Sequence, residues 1–157
     1  MLDLSKAFDS VDHCILLWKL QHYGVREEEL KWFAGYLDGR RQRVVVGDVK
    51  SEWSDVKRGV PQGSILGSLL FILYVNDLPN IIQHCRDADD TTLSCVGSDA
   101  AELGEGLTED LKRVARWVEI NKLSLSVMKK TKLLLTSRKR RAQELEHVQV
   151  KVDDRNL

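Results

Sequence analysis

Three aspartates fall within four positions of the stretch HCRDADDTTLSC (residues 84–95): Asp87, Asp89 and Asp90. Adjacent carboxylates at a tight turn repel and raise each other's pKa unless a cation neutralises them. A solvated acidic turn is the plain reading. The chemical reading is a hard divalent ion such as Mg²⁺, which takes carboxylate oxygens and keeps open positions for water and phosphate. Two such ions about 3.5–4 Å apart clamp the attacking and leaving oxygens of a phosphoryl transfer. That arrangement needs a further carboxylate, and Asp3, at the end of a short apolar stretch, is the best placed. Asp9 and Asp12 follow it, but a helix starting near Asp12 makes that residue an N-cap.

The elements that must position these groups are legible as patterns. Residues 2–4 read as the end of a strand. Residues 13–24 read as a helix with Ile15, Leu16, Leu20 and Tyr23 on one side, and residues 28–37 as a second with an apolar i, i+3, i+4, i+7 stripe. Residues 42–46 and 53–57 resemble two strands joined through Gly47-Asp48. The long apolar run 64–77 predicts a buried helix after the turn Pro61-Gln62-Gly63. Residues 81–96 read as a hairpin with the acidic cluster at its turn. Residues 99–121 form an amphipathic helix striped by Leu103, Leu107, Leu111, Val114 and Val118, with Asp99 and Glu102 as a capping box and Gly104 and Gly106 weakening its first turns. Residues 123–137 read as one or two more short strands. Short strands in hairpins mixed with helices predict an α+β sheet with helices packed on it.

A chain of 157 residues, 43% apolar, can bury the core of one domain. Its formal net charge of zero favours neither nucleic acid nor membrane as a whole-chain partner. Between Lys129 and Arg141 stand seven Lys or Arg and no acid, a solvated face or a run able to hold phosphates. The longest unbroken apolar run, residues 69–75, is far too short to span a bilayer. The opening MLDLSKAFD carries charge from Asp3, unlike a secretory signal. Three cysteines, an odd number without metal-ligand spacing, predict free thiols and an intracellular, reducing compartment. The basic run is compatible with the nucleus.

The motifs LDLSKAFDSVDH (2–13), RGVPQGSILGSLLFILYVNDLP (58–79) and DADDTTL (87–93) stand in this order. Together they resemble the palm of a reverse transcriptase, of the kind encoded by non-LTR retrotransposons of the jockey-like, LINE type. The likeness continues through DLKRVARWVEINKLSLSVMKKTKLLL (110–135) and covers nearly the whole chain. The resemblance implies an α+β, polymerase palm-like antiparallel sheet cut at its N-terminal strand, with residues 1–137 as a partial palm and 138–157 as a basic, then mixed-charge tail. It implies that Asp3, Asp89 and Asp90 are catalytic and bind two Mg²⁺ ions, with Mn²⁺ able to replace them. Phe8 matches the aromatic gate that excludes a 2′-hydroxyl. Pro61, Gln62 and Gly63 match the second motif, where Gln62 hydrogen-bonds near the base pair and Gly63 admits close backbone approach. Lys130 or Lys132 resembles a lysine near the departing pyrophosphate. The implied partners are RNA template, DNA primer and dNTPs, with no membrane and no obligate protein partner.

Several positions depart from that pattern. Asp87 stands where the family usually has an aromatic, most often Tyr, and Ser68 where it usually has Pro. The region after Lys129 holds one residue more than the family spacing. The chain begins at the first palm motif, so the fingers, the thumb and an endonuclease domain lie outside it. An alternative therefore stands beside the enzyme: an inactive retrotransposon relic that at most binds nucleic acid passively through its basic run. The motif order predicts that the carboxylates of Asp3 and Asp89 converge, with 86 residues separating the two positions. An experimental structure placing them more than about 10 Å apart contradicts a shared ion, given Mg–O distances of about 2.1 Å.

Overall fold

The computed structural model describes residues 4–88, 92–96, 99–125, 151–152 and 155–156. Two compact units emerge, Lys6–Asn76 on one hand and Met1–Ser5 with Asp77–Leu157 on the other. Helices and short antiparallel strand pairs make the chain α+β.

The Lys6–Asn76 unit holds α1 (Ala7–Ser10), α2 (His13–His22), α3 (Glu27–Leu37) and α4 (Ile65–Val75). Asp12 caps α2, its Oδ1 accepting from the amides of Cys14 and Ile15 at 3.1 and 3.2 Å. Three glutamates in the first turn of α3 suit the positive end of that helix. Helix α2 packs on both α3 and α4. Leu16, Leu20, Leu37, Leu70 and Tyr74 are almost wholly buried. Each such side chain contributes about 1.5–3 kcal/mol.

The apolar face of α2 is the expected one at Leu16 and Leu20, but it differs at Tyr23, just past the helix, and at Lys19. Tyr23 is 42% exposed, while Lys19 is buried. The Lys19 amine donates to the Tyr74 carbonyl at 2.6 Å, near the negative end of α4, and lies 4.9 Å from the Tyr74 ring centre. Helix α4 forms where the apolar run predicted it, with Ser64 as its cap, but it is buried on one face only. Ile65 is 93% exposed and Ile72 59%. A run apolar on all sides carries no periodicity from which to read the covered face.

Between α3 and α4 the expected hairpin is broken in two. Strands β2 (Val45–Val46) and β3 (Val49–Lys50) pair around Gly47-Asp48, as the turn signal predicted. Strands β1 (Arg41–Gln42) and β4 (Ser54–Asp55) pair separately further out.

In the second unit a 3-10 helix (Leu78–Ile81) precedes β5 (Arg86–Ala88) and β6 (Thr92–Ser94), which pair antiparallel, Arg86 opposite Ser94 and Ala88 opposite Thr92. Helix α5 (Ala100–Ile120) follows, with Asp99 accepting from the Ala101 amide. Its expected stripe is real: Leu111, Val114 and Val118 are buried, joined by Trp117. Leu4 bridges Leu125 antiparallel, and the Ser5 amide donates to the Ser124 carbonyl at 2.7 Å. Strands β7 (Lys151–Val152) and β8 (Arg155–Asn156) form a last pair. Among the described residues the strands therefore make four separate two-stranded sheets rather than one. The strands expected over residues 126–137 lie outside the described residues.

One expectation is overturned. Cys85 and Cys95 form a disulfide, and Cys14 is free and exposed. The register explains it: one step beyond the Arg86–Ser94 pair, the two cysteines stand directly opposite, with Cα atoms 4.3 Å apart. We predict that the unfolded, unreduced chain titrates one thiol rather than three. Cys95→Ser should lower stability to urea by about 2–3 kcal/mol through lost loop closure. Three titratable thiols without reductant would contradict the pairing.

Candidate functional site

The second motif rests on the first by direct backbone contact. The Gly59 amide donates to the Val11 carbonyl at 2.8 Å, and the Val60 amide to the Phe8 carbonyl at 2.9 Å. The His13 ring donates through Nε2 to the Gly59 carbonyl at 2.9 Å. Gly59 has a φ of +88°, and a Cβ there would stand 2.8 Å from the Asp9 Cα and 2.9 Å from the Phe8 carbonyl oxygen. Only glycine meets both demands. Phe8, half-buried, stacks on Phe71 of α4 with ring centres 4.6 Å apart.

Beyond Gly59 the chain runs outward. Pro61 is half-buried, while Gln62 and Gly63 are exposed. The Ser64 hydroxyl donates to the Pro61 carbonyl and accepts from the Gly67 amide, both at 2.9 Å, which ties the turn to the start of α4. A Cβ on Gly67 would overlap the Pro61 carbonyl oxygen. Gly63 also has positive φ, +85°, but a Cβ there would meet nothing within 4 Å. Phe8 and the Pro61-Gln62-Gly63 turn are thus fixed by one set of contacts, with the Gln62-Gly63 tip open. Asp12, weighed beside Asp3 as a carboxylate donor, is buried at the start of α2 and used as its cap. Asp9 lies exposed on α1.

The carboxylates predicted to bind metal, Asp3, Asp89 and Asp90, lie outside the described residues, as does Lys130. Their immediate neighbours are described. Leu4 follows Asp3 and is bridged to Leu125, and strands β5 and β6 flank residues 89–91. Among the described residues no three His, Cys, Asp or Glu side chains form a metal-binding group. The donor set Asp3, Asp89 and Asp90 is all carboxylate, the hard oxygen chemistry that suits Mg²⁺.

The stem of that hairpin is held by a residue the sequence reading missed. Asp110, on α5, has no exposed surface. Its Oδ1 accepts from the Gln83 amide at 3.0 Å, and its Oδ2 from the amides of His84 and Cys85, both at 2.8 Å. Arg113 donates to Oδ1 at 3.0 Å. Burial alone would push the Asp110 carboxyl up, but the three amides, with His84 nearby, together hold it below its ordinary 3.8. A depressed native pKa contributes stability that is complete above the unfolded value and is lost as pH falls through the native one. The signal was present in the sequence: a carboxylate three residues after Leu107 and four before Val114 interrupts an apolar stripe.

Residues 1–152 match the family model described as reverse transcriptase (RNA-dependent DNA polymerase). The chain belongs to the reverse transcriptase family. Its relatives place it among the non-LTR retrotransposon enzymes, as the motifs implied. It is 33% identical over 132 residues to the probable RNA-directed DNA polymerase from transposon BS of Drosophila melanogaster, covering 74% of this chain and 14% of that protein. It is 30% identical over 128 residues to the RNA-directed DNA polymerase from mobile element jockey of the same fly, covering 75% and 14%. The probable polymerase from transposon X-element is 27% identical over 152 residues, 88% of this chain and 16% of the relative. This reverse transcriptase segment thus spans about a seventh of the curated relatives it matches. No described helix is long and apolar enough to cross a membrane.

The close approach at Gly59 gives a graded prediction. Gly59→Ala adds both positive-φ strain and a backbone collision, so it should cost about 3 kcal/mol or more in urea unfolding. Gly63→Ala adds only the strain, about 1–2 kcal/mol. Equal losses would contradict the packing described.

Proposed function

We propose that this chain is the palm segment of an RNA-directed DNA polymerase from a non-LTR retrotransposon, adding dNTPs to a primer 3′ end on an RNA template when joined to the rest of the enzyme. The family match across residues 1–152 carries the reading. The local geometry supports it, since the Phe8 carbonyl accepts from the amide of Val60, the residue that leads into the Pro61-Gln62-Gly63 turn. An intracellular site of action is part of the proposal and follows from a nucleic-acid template.

Asp3, Asp89 and Asp90 would hold two Mg²⁺ ions, or Mn²⁺ in their place. The chemistry that such ions would supply is charge neutralisation on the triphosphate and a lowered pKa of the primer hydroxyl. The primer 3′-hydroxyl would attack the α-phosphorus, its proton passing to solvent as the new P–O bond forms in line and pyrophosphate leaves with the electrons of the broken bond. Phe8 would fill the space a 2′-hydroxyl needs and so select deoxynucleotides. Gln62 would hydrogen-bond near the nascent base pair, and Lys130 would meet the departing pyrophosphate. The protein's share of the rate is positioning and charge.

Asp87 favours a second reading, a copy disabled at its metal site that at most binds nucleic acid through residues 129–141. It adds a negative charge where the family usually has a ring. Primer extension on an RNA template with Mg²⁺ separates the readings. The 157-residue chain alone should extend a primer little or not at all. Joined in frame to the flanking polymerase segments of a jockey relative, it should extend the primer in a manner abolished by Asp89→Ala. Activity of that fusion only after Asp87→Tyr would establish the disabled copy. Inactivity of the fusion with either residue at 87 would contradict the polymerase reading.

A further inference from the structure

Asp110 is a buried ionised group that the proposed chemistry does not use. Residues 83–85 belong to no helix or strand, yet three successive amides there converge on one carboxylate. The next residue, Arg86, opens β5, which ends at Ala88, next in sequence to Asp89. The helix is shaped to receive this segment. One turn before Asp110, Gly106 faces His84, whose Cβ would stand 3.1 Å from a Cβ at Gly106. The His84 ring reaches Glu109 at 3.2 Å, and Arg113 joins Glu109 to Asp110. The third amide donor, Cys85, is also the residue bonded to Cys95 on the returning strand. Both strands of the hairpin stem are therefore tied to α5 through a single point.

We propose that Asp110 is a positioning residue for the carboxylate hairpin: by gripping the amides of Gln83, His84 and Cys85 it fixes the start of β5, the strand that ends one residue before Asp89, and so supports the proposed binding of a divalent ion by Asp89 and Asp90. A carboxylate suits this task because both oxygens accept. An asparagine presents an N–H₂ group where one oxygen stood, facing amides that need an acceptor. The proposal rests on the reading that Asp89 and Asp90 bind metal, and the test separates the two.

Mn²⁺ affinity of the 157-residue chain is measured for the parent, Asp110→Asn, Asp99→Asn and Asp89→Ala. Asp99→Asn is the control: it removes the same charge from the same helix, at a cap position where Asn serves as well as Asp. Asp110→Asn should weaken Mn²⁺ binding about tenfold or more, the low end of what partners of a ligand shell contribute. Asp99→Asn should leave it within twofold. The comparison is made at a temperature where circular dichroism shows both variants folded, so lost stability alone does not move the readout. A folded Asp110→Asn variant that binds Mn²⁺ within twofold of the parent overturns the proposal. If Asp110→Asn does not fold, hydrogen exchange of the unaltered protein decides. The Gln83, His84 and Cys85 amides should exchange at least about a hundredfold more slowly than in an unstructured peptide; exchange at peptide rates overturns the grip. Mn²⁺ binding by the parent that Asp89→Ala does not weaken sinks the metal-site reading instead, and the exchange rates then judge the grip alone.

Discussion

Taking a carboxylate out of water costs several kcal/mol unless both of its oxygens are satisfied. Asp110 meets that condition with three backbone amides and one arginine. The Cys85 amide, in a buried contact, has no other acceptor among the described residues, and an unpaired buried N–H costs about 1–3 kcal/mol. At Cys85 each side of the contact therefore needs the other. The consequence is directional: a segment without regular structure is fixed against the long helix α5, and the hairpin growing from it inherits that fixed origin. The Cys85–Cys95 bond extends the constraint to the second strand.

The Lys6–Asn76 unit solves a similar problem without charge. A loop that must leave its tip open cannot also bury its tip, so its base carries the whole of its anchoring. Gly59 supplies that anchoring by letting two backbones approach until amides and carbonyls pair directly, and His13 adds a third bond to the same residue. Phe8 sits on the partner side of this contact, stacked on Phe71. Moving the loop therefore moves the backbone of the residue assigned to sugar selection. In both units a polar backbone segment next to residues assigned to the chemistry is held at its root.

The family was more legible than the scaffolding. Three motifs stand in order along the chain, and the family model matches across all of them, over residues 1–152. Amphipathic α5 was readable because one face of it is buried. Asp110 was overlooked because an acidic residue on a helix is usually solvated, although its place on an apolar stripe marked it. The disulfide was missed because cysteine spacing was compared with metal motifs and not with the hairpin register. Residues 85 and 95 are symmetric about position 90, and pairing them required only that count. The broken hairpin between α3 and α4 and the exposed side of α4 were not readable, since two-residue strands and all-apolar runs have no periodicity to follow.

The proposed metal site joins Asp3 of the first motif to Asp89 and Asp90, with Asp9 and Asp12 taking no part. Paramagnetic broadening of backbone amide signals by substoichiometric Mn²⁺ tests this most directly. The account predicts that the amides of Leu4, Ala88 and Thr92 broaden first and together, and that Asp89→Ala removes the effect at all three. Broadening centred on Asp9 and Cys14, or spread evenly over the acidic surface including Asp99 and Glu102, would contradict it.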